Sequence, residues 1–393
     1  MLISAASFAE PTSNATNDQT NDAAETRAES RHEVAGTEAV TGIAIAQANS
    51  VTGEVVEWTA LGSTQSVSGD ITAQSEIEAQ SVYGVATSNA TAQGNALTAA
   101  ASTNIDADVQ QVAGSGTVSA LSALRLGDYA GHVVSNSQAT ANAAEIATAD
   151  SEANLALTQS SNSDVRAETR LEADNAEIET TVQTATAAGN SVTAGGTNSS
   201  TIMDIDQSNG GNISATAEAD IANADYGATV ASQAAGNTAN LYSEWGYAHM
   251  QGEQMNSGDV EAMTRMGVGA FENGPLVGSA NAVGNQVLLS NFGANAYAGV
   301  GQTNSGNVSA NVVMQGGSGQ SAFATSSAMG NAQSGYICSE CPVGLDANTR
   351  QLNSGNVFSG VSQSYDGYVG AVTGSATAVG NASTFATVSP NGG

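Results

Sequence analysis

The chain has 393 residues, 40% hydrophobic but only 4% aromatic, and its 37 acidic residues face seven arginines and no lysine, a formal charge of −30. That charge opposes nucleic acid and anionic membrane surfaces as partners. Bulky side chains are too sparse for the close-packed cores of two or three ordinary domains, and no run of eighteen apolar residues is available for a transmembrane helix.

In chain order, residues 1–9 read MLISAASFA, like the tail of a secretory signal peptide without its basic start, which points to export. Residues 10–40 are acidic and poor in bulky groups, the composition of a disordered segment. Residues 41–393 are expected to form one repeat domain, because a small residue followed by Asn or Asp returns about every 24 residues.

Two kinds of mark alternate, giving a higher repeat of about 48 residues. One kind opens with glutamine, at Gln65, Gln159, Gln207, Gln254, Gln302 and Gln351, and ends five residues later at positions such as Asn212, Asn307 and Asn356. The other is alanine-rich and ends in Gly-Asn at Asn95, Asn190, Asn285 and Asn381, with further marks at Asn49, Asn237 and Asn331. Gly-Asn and Gly-Asp favour turns, since glycine takes positive φ freely and Asn or Asp tolerates it. Beyond the turns, Ile213, Ala215 and Ala217 alternate with Ser214, Thr216 and Glu218, the period of a strand with one buried face.

These signals predict an all-β fold: a β-solenoid of strand-turn-strand rungs, about 24 residues per rung and about 14 rungs, ~67 Å long at ~4.8 Å per rung. Stacking would place Gln over Gln and Asn over Asn in amide ladders. A β-propeller of 48-residue, four-stranded blades is the alternative, though blades need bulkier residues between them.

At Gln302 to Ala310 and Gln207 to Ala215, a glutamine five residues before an asparagine, with glycine between, resembles the curlin repeat. The second curlin glutamine is approximated at Gln315 and Gln363, and the alanine-rich units lack the leading Gln. With its length and exported start, the chain resembles the holdfast anchor proteins of stalked alphaproteobacteria, their large D-type in particular. The resemblance implies an amyloid-like structural protein, secreted to the cell surface and associated with the outer membrane. It also implies self-association or docking with other curlin-like anchor subunits, export through a curli-type outer-membrane pore, and an adhesive polysaccharide as a further partner.

Chemistry is thin. His32, His132 and His249 are isolated, so the chain reads as non-enzymatic and without a cofactor; a solenoid that binds or cleaves polysaccharide is the alternative, which needs acids and aromatics converging in one groove. The nearest acids are the D-x-D pairs Asp106 with Asp108 and Asp204 with Asp206, each on one strand face and weakly suited to Ca²⁺. Cys338 and Cys341 are candidates for a local disulfide in an oxidising exterior. Acids thin out beyond Gly274, so the C-terminal edge is expected to be the adhesive one.

Overall fold

The computed structural model describes residues 13–338 and 343–388, and strands dominate it, with no helix among the described residues. Every strand pairing is parallel, and two sheets run the whole length of the molecule. Short strands such as Thr59–Val67, Ile105–Ala113 and Ser200–Asn209 build one sheet. Long strands such as Asp70–Ala101, Thr117–Ala149 and Asp164–Thr197 build the other. This is a solenoid-like coil in which the chain returns to the same position after 46 to 50 residues.

One coil has three segments. A short strand, layer a, turns into the first part of a long strand, layer b; the chain then bends near residues 80–84 into the second part, layer c, which runs back past both. Layer c therefore packs against b with its first half and against a with its second. Two apolar cores result: one sets Ile71, Ala73 and Ile77 against Ala86, Ala90 and Ala92, the other sets Ile105 and Val109 against Leu97 and Ala99. Alanine on one side lets the layers close with few large side chains, and this accounts for the low aromatic content.

The 24-residue rung is thus half a coil. The two kinds of mark lie in different layers and meet across the cross-section: Gln65 Nε2 donates to the Ala96 carbonyl, beside Asn95. A 24-residue unit has nothing to close against until the chain has folded back on itself, and among the described residues eight coils replace the expected fourteen rungs. At ~4.8 Å per coil, the seven steps from Asn49 to Asn381 span ~34 Å. Two continuous parallel sheets also exclude the propeller, whose blades are separate four-stranded sheets. The segment expected to be disordered instead forms Ser13–Asn21 and the start of Glu25–Val55, because both pair in register with the next coil, as Gln19 with Gln65 and Glu25 with Asp70.

The Gln-led marks do sit at turns, as at Ser68 and Gly69. The Gly-Asn marks do not. Gly94-Asn95 and Gly284-Asn285 lie inside long strands, and neither glycine has a positive φ. Gly284 is needed for close approach: a Cβ there would lie 2.5 Å from the Gly330 carbonyl oxygen and 2.6 Å from Asn304 Oδ1. Gly284→Ala is expected to cost about 1–3 kcal/mol through this overpacking, measured by denaturant unfolding; an unchanged midpoint would contradict the reading.

Candidate functional site

Between the two cores runs a spine of buried amides. In layer c, Asn49 Nδ2 donates to Asn95 Oδ1, and the same bond repeats through Asn142, Asn190, Asn237, Asn285, Asn331 and Asn381 at 2.7–2.8 Å. The second hydrogen of each donor binds a carbonyl of layer a, for example Asn190 to Ser208 and Asn285 to Thr303. Glutamines of layer a form a ladder of opposite sense. Gln65 donates to Gln19, and Gln111, Gln159, Gln207, Gln254, Gln302 and Gln351 each donate to the copy before, at 2.6–2.9 Å. A third ladder links Asn209, Asn256, Asn304 and Asn353. Buried amides that each satisfy a neighbour avoid the cost of unpaired polar groups.

Asn212, Asn307 and Asn356 lie elsewhere, on the exposed turn after layer a. There the side-chain oxygen of one copy accepts the backbone N–H of the next, as Asp259 Oδ1 does from Asn307 and Asn307 Oδ1 from Asn356. Asn285 and Asn331 are therefore equivalent, and Asn307 belongs to a different column. The sequence reading missed Gln19, Gln111 and Asn142. Gln111 stands six rather than five residues before its turn residue Thr117, and Ala141 stands where six of the seven other copies have glycine. Strict spacing hid positions that three-dimensional register makes plain.

The outward face of layer a carries the D-x-D pairs. Asp106 and Asp108 lie two strands away from Asp204 and Asp206, with Asn154, Ala156 and Thr158 between them. Two strand spacings are ~9.6 Å, too far for both pairs to hold one cation, and no cluster of three metal-ligating side chains occurs among the described residues. Asp106 is engaged at both oxygens, by Asn154 Nδ2 at 2.8 Å and Trp58 Nε1 at 3.2 Å. Asp106, Asp108, Asp204, Asn154 and Gln251 border a shallow groove of about 480 Å³ lined also by Gly62 and Ala156.

Beside this groove stand aromatic rings. His249 stacks on Tyr297 with centroids 4.5 Å apart and 24° between planes, and its Nδ1 is 3.1 Å from the Tyr247 hydroxyl. Tyr297 lies flat across Gly299, where any Cβ would meet its ring. From His249 the polar chain continues through Gln251 to Asp204. Acids and aromatics thus converge on one face, which periodicity alone did not reveal because the residues come from strands about 48 apart.

The outward face of layer b is a lattice of charge. Arg166 and Arg170 both bind Glu168, the latter at 2.8 Å, and Arg125 binds Glu172 at 2.9 Å. Burial, with Asp174, Glu218 and Glu172 nearby, pushes the Asp220 carboxyl above its ordinary range. Cys338 ends the strand Val308–Cys338, and its expected partner Cys341 lies outside the described residues, as does the signal-like stretch 1–9.

A family model described as holdfast attachment protein D matches residues 34–307, more than half of the chain. The chain belongs to that family. Holdfast attachment protein D is a structural attachment family of the cell surface, and the matched span covers five complete coils with their ladders. No curated protein and no solved structure matches the chain.

Proposed function

We propose that the chain is a non-enzymatic structural link at the cell surface, whose copies stack end to end in an amyloid-like array that anchors an adhesive polysaccharide to the cell envelope. The observation that carries this reading is the polarity of the ladders. The Asn ladder leaves an Oδ1 acceptor at Asn49 and an Nδ2 donor at Asn381, so the C-terminal coil of one copy offers what the N-terminal coil of the next accepts. The Gln ladder, from Gln19 to Gln351, has the same sequence separation as Asn49 to Asn381, so both ladders continue into a second copy at one register.

At that register Arg350 would face Asp18 of the second copy, while the acidic start of the chain meets a last coil with few charges. The sequence reading gave the adhesive role to the C-terminal edge alone; ladder polarity gives each end a part. Such stacking is heterologous and forms open filaments. Other anchor subunits with the same amide spacing could enter the stack, and a curli-type export pore and outer-membrane association fit this role.

Arg350→Glu is expected to shorten the particles seen by electron microscopy by at least about half, because the opposite-charge pair becomes a like-charge pair close to a strand spacing apart. Filaments of unchanged length would count against end stacking. The groove beside Tyr247, His249 and Tyr297 supports a contact with glycan, since a ring laid flat with amides and carboxylates around it suits sugar faces and hydroxyls.

A further inference from the structure

Layer c presents a broad outward face of unusual composition for so acidic a chain. Its eight segments, residues 39–55, 85–101, 132–149, 180–197, 228–244, 276–292, 321–338 and 369–388, hold only Glu54, Glu145, Glu244 and His132 as titratable acids or bases, tyrosine and cysteine aside. These four lie toward the margins. The central column reads Ile45, Thr91, Gln138, Thr186, Gln233, Asn281, Ser327 and Thr377, with no charge in any coil. Large apolar side chains also stand exposed here, among them Ile43, Ile45, Val182, Leu288, Phe323 and Tyr336.

We infer that this face pairs with the same face of a second copy, sheet against sheet. Three observations select that occupant. Two chains each carrying −30 approach broadside at least cost where neither presents charge, and the opposite side, with Arg125, Arg166 and Arg170 locked to Glu172 and Glu168, would have to strip water from its ion pairs. The area suffices: about 17 residues at ~3.3 Å along eight strands at ~4.8 Å gives ~2,000 Å² on each copy, whereas a stable interface needs about 800 Å². Finally, Thr, Asn, Gln, Ser and aliphatic residues in straight columns are the surface that packs dry against a like sheet at ~10 Å. The contact is isologous and closes at two copies, so it differs from the open-ended stacking above and does not depend on it.

The test is sedimentation of the full chain carrying Arg350→Glu, which weakens end stacking, at a concentration where electron microscopy shows no filaments. A two-copy mass at about 10 µM is expected. Adding Gln233→Glu and Asn281→Glu places like charges face to face and should weaken the pair at least about tenfold with the strand signal in circular dichroism intact. Adding Ser119→Glu and Ser214→Glu, which face outward beside Arg166 on the other side, should leave it unchanged. If the double face variant fails to fold, Gln233→Glu alone should still weaken pairing. A one-copy mass without the face substitutions, or equal weakening by the control pair, would overturn the inference. So would a one-copy chain whose layer c face holds a neutral oligosaccharide.

Discussion

Replacing Asn190 with leucine should lower the free energy of unfolding by about 3–5 kcal/mol, measured by denaturant titration. Asn190 is fully buried and accepts from Asn142 Nδ2 while donating to Asn237 Oδ1 and to the Ser208 carbonyl. Leucine removes all three bonds and strands three buried polar groups, each costing about 1–3 kcal/mol when left without a partner. Asn381 makes a controlled comparison, since it is the last member of the same ladder and lies in a more open coil. Asn381→Leu should cost less than half as much. Aspartate at 190 should also destabilise, because a carboxylate can accept from Asn142 but cannot donate to Asn237; the loss should shrink as pH falls and the acid regains a proton to donate. Equal costs at positions 190 and 381, or a loss below about 1 kcal/mol at 190, would mean that the ladder is decoration on a core held by other means.

Phe271→Ala should be comparably damaging, at about 3–5 kcal/mol. Phe271 is the largest fully buried side chain among the described residues and sits where the chain bends from layer b into layer c. Alanine cores elsewhere close the gap between straight strands, but the bend opens a wider space that one ring fills. Its neighbour in the next coil is Gly319, where a Cβ would meet the ring, and one coil further Tyr365 packs at a centroid distance of 6.0 Å. Loss of the ring should therefore loosen the C-terminal coils before the N-terminal ones, visible as early hydrogen exchange across residues 308–338 and 357–388. Uniform exchange along the solenoid would contradict this. Burial also pushes the Tyr365 hydroxyl from 10.0 up to about 12. Its contribution to stability is complete below pH 10 and is lost as pH rises toward about 12, so alkaline unfolding should also begin at the C-terminal coils.

The strand class and the amide ladders were legible in sequence because both repeat through chemistry that side-chain type reports directly: period-two alternation after Ile213, and glutamine or asparagine returning at Gln207, Gln254 and Gln302. The length of a coil was not. Spacing shows that Asn285 and Asn307 are both marks, but whether they stack or face each other depends on where the chain folds back, and that bend is set by irregular residues near 80–84 and 126–131 with no shared motif. The glycine before Asn95, Asn190 and Asn285 misled for a related reason. Its signal suggested a turn, whereas Gly284 answers to Asn304, twenty residues on and invisible to local rules. At the acidic start, composition argued for disorder, yet outward-facing Glu29 and Glu33 alternate with residues that share the sheet of the next coil. The groove and the uncharged face were hidden altogether, since each gathers residues about 48 apart that mean nothing singly.

The length of the coil is the claim on which the ladders, the two cores and the uncharged face all depend. Spin labels placed by Ile45→Cys and Thr377→Cys, with both native cysteines replaced by serine, report it through the distance between them by pulsed electron resonance. The two positions occupy one column, seven coil steps apart. Coils of about 47 residues place them ~34 Å apart at the spacing of neighbouring strands; a distance near ~67 Å would mean that each 24-residue unit is a rung of its own.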